Sequence, residues 1–277
     1  MDYKFSVSMC VYDKDNPQWF KEALDSILCQ SLKPTEVILV VDGPVSDLLN
    51  KSILEYEQLE NIKVFRLEKN LGHGNARRIG IENCKYELVA LMDADDRSVY
   101  KRFEKQIEKF IENPDLDIVG GNIEEFIDDP GRIVSKRIVP MKDAQIKEYM
   151  KKRCPMNQMT VMVKKDAVLR AGGYLDWYCN EDYYLWIRMF LNGMTFENIN
   201  ETLVKVRVGD AAYRRRGGWK YFKSECRLQK YMLQNKIISP GLYAENVAKR
   251  FVMQILLPNK LRGWVFQKFA RDSVEFR

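Results

Sequence analysis

The 277-residue chain contains a single histidine, His73, and its six cysteines (Cys10, Cys29, Cys84, Cys154, Cys179, Cys226) are scattered without a C-x-x-C pair. That poverty speaks against a Cys/His zinc site, and the thiols read as reduced and mostly buried. No stretch reaches the roughly 18 uninterrupted apolar residues of a membrane span. The opening Met1-Asp2-Tyr3-Lys4-Phe5 lacks the charged-then-apolar layout of a secretory signal, so the expectation is a cytoplasmic chain. An excess of one charge is also missing: the net charge of +6 is too small to announce a nucleic-acid protein. Internal repeats, low-complexity tracts and a Ser/Gly-rich linker are absent as well.

What is present is enough apolar material for a substantial core, 46% of residues, beside 30% charged. One large domain or two small ones fit this length. Residues 213–277 hold 15 basic and 4 acidic side chains, whereas residues 1–212 hold 30 and 35, so the chain is acidic first and basic last. The first half alternates strand-like and helix-like segments, the pattern of a parallel sheet wound with helices. Strands are expected over Phe5–Tyr12, Glu36–Val41, Ile62–Leu67 and Glu87–Met92, the last apolar nearly throughout and so central and covered on both faces. Helices are expected from Pro17, over Asp47–Tyr56, over Asn75–Asn83 and over Lys101–Ile111. Farther on, Ile118–Gly121 and Arg132–Val139 read as strands, and Asp143–Lys152 and Glu181–Leu191 as helices.

In an open parallel sheet, ligands bind beyond the carboxyl ends of the strands. Asp13 follows the first strand, Asp42 the second, and Asp93-Ala94-Asp95-Asp96 the strand ending at Met92. A single strand-end aspartate is as readily a turn or cap residue, but three strands converge here. Clustered carboxylates repel unless a cation or donors offset them, and hard oxygen ligands favour Mg²⁺ or Mn²⁺ holding a diphosphate. The competing reading is a solvated acidic turn.

The segment Gly72-His73-Gly74-Asn75-Ala76-Arg77-Arg78-Ile79-Gly80 is no dinucleotide fingerprint, because Arg77 stands where G-x-G-x-x-G needs glycine. A glycine-containing turn entering a helix with two arginines still suits an anion. His73 reads as a turn residue.

Taken together, these segments resemble the inverting nucleotide-sugar glycosyltransferases of family 2, which have the GT-A fold. The resemblance is carried by Val7–Tyr12, Ala23–Gln30, Pro34–Gly43, Asn70-Leu71-Gly72, Ala76-Arg77 with Gly80, and Leu91–Asp96. Gly172-Gly173-Tyr174 and Glu181-Asp182-Tyr183 with Leu185, Trp186 and Arg188 match the acceptor-side motif. The likeness spans roughly residues 5–208 and is greatest to bacterial enzymes of capsule, exopolysaccharide and O-antigen assembly.

The resemblance implies a mostly parallel, Rossmann-like α/β sheet with helices on both faces. It places a GT-A domain at 1–210, with a nucleotide-sugar half about 1–96 and an acceptor half about 97–210, followed by a basic helical region at 211–277. Asp42 would hold the uracil edge of a UDP-sugar donor. Asp93 and Asp95, with Asp96, would meet the ribose and a Mn²⁺- or Mg²⁺-bridged diphosphate, and Arg77 would lie near the nucleotide with Tyr12. Asp182, beside Glu181, would be the general base that deprotonates an acceptor hydroxyl for inverting displacement; a helix-start acid has a capping role as its plainer reading. The acceptor implied is an oligosaccharide, lipid-linked through a polyprenyl diphosphate.

Three departures stand out. Asp13 replaces the family's frequent Asn, Gly209-Asp210 stands where many relatives carry a histidine, and the Q-x-x-R-W signature of processive synthases is missing, which implies one sugar per encounter. Arg214, Arg215 and Arg216 suit a loop that neutralises the leaving diphosphate, a solvated basic turn, or a contact to a lipid phosphate. The tail over 244–277 reads as an interfacial amphipathic segment broken at Pro258, or as a helix pair packed on the catalytic domain or a second subunit. Two other classes stay open: a nucleotidyltransferase, whose glycine-rich, lysine-containing first loop is replaced here by Tyr12-Asp13-Lys14-Asp15-Asn16-Pro17, and a non-catalytic binding protein on the same fold.

Overall fold

A computed structural model describes residues 3–209 and 217–257. The Arg214–Arg216 run and the tail from Pro258 onward lie outside the described residues.

Alternation of apolar strands and amphipathic helices builds one nine-stranded sheet in the order β3-β2-β1-β4-β8-β6-β9-β5, with β7 paired to β6. The strands are β1 (Phe5–Val11), β2 (Glu36–Val41), β3 (Ile62–Arg66), β4 (Leu88–Asp93), β5 (Arg97–Ser98), β6 (Ile118–Phe126), β7 (Ile133–Arg137), β8 (Met162–Lys164) and β9 (Phe196–Arg207). The first four are mutually parallel, as the βα alternation requires. Beyond β4 the sheet becomes mixed, because β8 runs antiparallel to β4 and to β6.

Helices cover both faces. On one face lie α1 (Pro17–Leu28), α2 (Asp47–Glu57) and α4 (Arg102–Glu112), whose Phe20, Leu24, Leu49, Ile53, Phe103 and Ile107 join one core cluster. On the other lie α3 (His73–Asn83), α5 (Asp143–Met150), α6 (Lys165–Arg170), α7 (Glu181–Leu191) and α8 (Trp219–Gln234). β4, between β1 and β8, is buried on both faces, as its apolar run predicts. α1 starts where expected for a local reason: Asn16 Oδ1 accepts from the N–H groups of Gln18 (2.8 Å) and Trp19 (3.3 Å), and Pro17 occupies the first turn.

In the described part of the C-terminal region, two helices pack on each other and on the catalytic domain. α8 and α9 (Pro240–Phe251) are joined by Asn246 Nδ2 donating to Gln229 Oε1 at 2.8 Å, and Asn246 also donates to the Lys151 carbonyl at 2.9 Å. Arg250 forms an ion pair with Glu225 and donates to the Lys152 carbonyl at 3.0 Å. No helix among the described residues is long and apolar enough to cross a membrane.

The chain goes from β1 outward through β2 to β3, then returns to place β4 on the other side of β1. That reversal makes the β1/β4 boundary the topological switch point, where a crevice opens beyond the strand ends. In the β1/β4 register Cys10 stands opposite Asp93, so the first acid of the D-x-D sits at this boundary.

Candidate active site

Three strand ends deliver carboxylates to the switch point, though not all those expected. Asp42, beyond β2, is 4% exposed, and its oxygens accept the backbone N–H groups of Leu71 (2.7 Å) and Gly72 (3.1 Å). It thereby fixes the loop that enters α3. Gly43 follows at φ +91°, and an added Cβ would lie 2.5 Å from the Asn70 nitrogen, so only glycine admits this approach.

Beyond β1 lie two aspartates, Asp13 and Asp15. Asp13 is exposed, whereas Asp15 turns back to accept the Tyr12 N–H at 2.9 Å and enters the acidic cluster. Burial pushes the Asp15 carboxyl up to about 7; the Tyr12 N–H works against this, and the charges of Asp95 and Asp93 add to it. The reason for the difference is the turn after Tyr12, closed by Asp15 N–H donating to the Tyr12 carbonyl at 3.0 Å, which exchanges one aspartate for the other.

At the end of β4, Asp93 pairs with Arg77, a fully buried side chain on α3. Burial works against the guanidinium's charge, and Asp93 together with Cys10, Tyr174 and Glu181 more than offsets it, so its proton is held more firmly than usual. Arg77 Nη1 is buried without a partner among the described residues. Asp96 is 2% exposed, and its Oδ1 accepts the Arg207 backbone N–H at 2.9 Å. Burial first, then the charges of Asp95 and Asp93, raise its carboxyl well above the usual range. Arg207 also donates to the Asp95 carbonyl at 3.3 Å and to Glu22 at 2.7 Å, clamping the turn. A second fully buried arginine, Arg102, donates to the Leu91 carbonyl at 2.8 Å beneath the same strand, and burial pulls it down to about 9 against Asp93 and Asp96.

Among the described residues no three His, Cys, Asp or Glu side chains gather to hold a metal by themselves. One or two hard carboxylates in a mutually repelling cluster nevertheless fit Mg²⁺ or Mn²⁺, which complete their shells with phosphate and water oxygens.

The other acidic pair heads α7. Glu181 is buried, and its Oε1 lies 2.7 Å from His73 Nδ1; burial alone would raise its carboxyl, but the His73 contact brings it below the usual range. Asp182 is half-buried, its Oδ1 accepting the Tyr183 N–H at 2.6 Å and its Oδ2 lying 3.9 Å from Cys154 Sγ. Burial and then the neighbouring Glu181 charge lift it to about 6, with the Tyr183 N–H and Arg137 opposing. The two acceptor-side motifs are one structure: Arg188 of α7 donates to the carbonyls of Ala171 and Gly173 at 2.6 Å each, fixing the glycine turn before Tyr174.

His73 is more than a turn residue. It is the first residue of α3 and touches both Glu181 and Arg77. Only tertiary packing reveals this, as it does the roles of Asp15, Arg102, Arg207 and Cys154.

Residues 6–174 match the family model described as glycosyl transferase family 2. The UDP-Gal:alpha-D-GlcNAc-diphosphoundecaprenol beta-1,3-galactosyltransferase of Escherichia coli is 38% identical, the match covering 97% of this chain and 97% of that protein. The amylovoran biosynthesis glycosyltransferase AmsE of Erwinia amylovora is 37% identical over 95% of this chain and 98% of its own. Among solved structures, S. aureus TarS 1-349 in complex with UDP-GlcNAc aligns with a TM-score of 0.65 at 18% identity, covering 90% of this chain and 73% of that one. The mannosyltransferase PcManGT from Pyrobaculum calidifontis, in complex with GDP-Man and Mn²⁺, aligns at 0.61 and 14% identity, covering 94% of this chain and 72% of that one. These structures share the GT-A fold.

Proposed function

The chain belongs to glycosyl transferase family 2 and is a glycosyltransferase; on that premise we propose that it is an inverting, non-processive hexosyltransferase of surface polysaccharide assembly. It would move a hexose or N-acetylhexosamine from a UDP-sugar to a hydroxyl of a polyprenyl-diphosphate-linked glycan. The observation that carries the reading is the linkage of two acidic pairs, Asp93/Asp95 at the strand ends and Glu181/Asp182 at the head of α7, through Arg77 and His73. The E. coli relative's name supports the donor and acceptor classes.

Each residue has a defined task. Asp42 and the loop it holds cradle the base beside Tyr12, each carboxylate oxygen keeping a second lone pair for the ligand. Asp93 and Asp95 hold a Mn²⁺ or Mg²⁺, with Asp96 fixing their turn from behind; the ion, when bound, offsets the charge of the diphosphate. Arg77 Nη1, buried and unpartnered, supplies a donor fixed in place before charge develops on the leaving group. Asp182, with a carboxyl near 6, is ionised at neutral pH yet basic enough to take the proton of the attacking hydroxyl. Direct attack from the face opposite the diphosphate inverts the anomeric carbon.

The exposed edge of the C-terminal helices suits a membrane surface. Trp219, Phe222 and Phe251 form one aromatic group with ring centroids 5.7–6.3 Å apart, flanked by exposed Val252 and Leu256 and by Lys220 and Lys223. Aromatic rings bordered by cations are the side chains an anionic headgroup layer accepts, which would bring a lipid-linked acceptor to the crevice at the inner face of the plasma membrane.

The test is turnover of UDP-galactose, UDP-glucose and their N-acetyl forms with an alkyl-diphosphate GlcNAc acceptor, alongside calorimetric titration of UDP with and without Mn²⁺. Metal-dependent UDP binding lost in Asp95→Asn, with an inverted glycoside as product, supports the reading. Retention of anomeric configuration, or turnover undiminished in Asp182→Asn, overturns it.

A further inference from the structure

The ring of the single histidine stands between the two halves of the crevice. His73 Nε2 lies 3.1 Å from Arg77 Nε, and a guanidinium nitrogen can only donate, so Nε2 accepts and carries no proton. The ring proton therefore sits on Nδ1, which donates to Glu181 Oε1 at 2.7 Å. This assignment follows from the hydrogen-bond network alone. The same guanidinium is bound to Asp93. Asp93, Arg77, His73 and Glu181 thus form one unbroken chain of four side chains, from the D-x-D turn to the residue adjoining Asp182.

The local sequence makes this contact feasible. Gly74 follows His73 on α3, and a Cβ there would lie 3.1 Å from the Leu175 carbonyl oxygen and 3.4 Å from Glu181 Cβ. Glycine lets the first turn of α3 come against the first turn of α7. Arg77, with no exposed surface, has two of its nitrogens committed to Asp93 and His73, so a ligand drawing on Nη1 moves a group already fixed to both. His73 itself is 47% exposed at its side chain, whereas Arg77, the cation of this chain of side chains, is wholly buried.

Resting on the glycosyltransferase reading above, we propose that His73 is a positioning residue that couples the two half-sites: as the Nδ1–H tautomer it holds Glu181 beside Asp182 and transmits to that pair the movement of Arg77 when a nucleoside diphosphate binds. The residue touches neither reacting atom. Its two contacts are separable, because asparagine can place an amide N–H where Nδ1–H stood, while glutamine can place an acceptor oxygen toward Arg77.

A single histidine makes the experiment unambiguous: in protein labelled with ¹⁵N-histidine, long-range ¹H–¹⁵N spectra report one ring. The expected result is a protonated Nδ1 and a bare Nε2 in the ligand-free protein, with both resonances shifted by UDP and Mg²⁺. In the assay above, His73→Ala lowers kcat about five- to tenfold, the range of a typical coupling between sites. UDP affinity and the melting temperature stay unchanged; His73→Asn restores most of the rate and His73→Gln does not. An Nε2–H tautomer, a UDP complex that leaves the histidine resonances in place, or equal rates in His73→Ala and wild type would each overturn the coupling. Absence of UDP binding with the Nδ1–H tautomer intact would retire the donor reading and the coupling with it, leaving a structural contact only.

Discussion

The crevice carries two acidic pairs that differ in the company they keep. In the turn Asp93–Asp96, arginine is everywhere: Arg77 on Asp93, Arg207 on Asp96, Arg102 beneath the strand. At the head of α7, Glu181 has a histidine, and Asp182 has its own helix's N–H and a thiol beside it, with the Arg137 charge opposing its protonation. In the proposed reading the strand-end acids meet a diphosphate and a cation beside the Arg77 guanidinium, which holds its proton firmly. Asp182, proposed as the base, has its affinity for protons raised by burial and by the Glu181 charge.

The largest effect expected from breaking this contrast is on turnover. Asp182→Asn keeps the shape and removes the base, so kcat should fall by about 10²–10⁴-fold with UDP affinity unchanged; a loss of UDP binding instead would move Asp182 to the donor side. Next comes Arg77→Met, which strands Asp93 beside a buried apolar chain. Breaking a buried pair in this way costs about 3–5 kcal/mol, read by urea unfolding, and the loss should shrink in the double variant with Asp93→Asn.

The proton affinity of Asp182 makes a third prediction with a definite sign. Its carboxyl is raised from 3.8 to about 6 on folding, so the stability it contributes is present below pH 4 and lost as pH rises through 6. Asp182→Asn should therefore be more stable than wild type by about 1–3 kcal/mol at pH 7.5, with the advantage gone at pH 4. In turnover the same carboxyl gives kcat/KM an acid limb, activity falling as pH drops through about 6. The smallest effects sharpen the comparison on the strand side. Asp15→Asn should weaken UDP–Mn²⁺ binding severalfold, whereas Asp13→Asn, at an exposed position, should leave it within error; the reverse order would restore Asp13 to the site.

Much of this was legible before any coordinates. Strand β2, helix α7, and β4 as a central strand lie where their apolar patterns put them, because β2 and β4 are almost unbroken apolar runs and α7 carries helical spacing. The acids Asp42, Asp93 and Asp182 were found from their places after strands or in a motif. β5 and β8 were not found: two- and three-residue strands carry no period, and β8 runs antiparallel where a wound sheet suggests parallel. The sequence marks Asp13 as the residue after the first strand and gives no sign of the turn that brings the Asp15 carboxylate back to the Tyr12 N–H.

By itself, then, the sequence determined the alternation of strands and helices, the edge of the sheet at which the acids gather, and the family, since all three depend on local spacing and residue type. Only the tertiary structure decided which of those acids share an arginine, which keep their proton, and that His73 spans the crevice. Proton affinity and pairing depend on burial and on neighbours far apart in the chain, as Glu181 is from His73 at 108 positions and Arg207 from Glu22 at 185, and no local pattern encodes them.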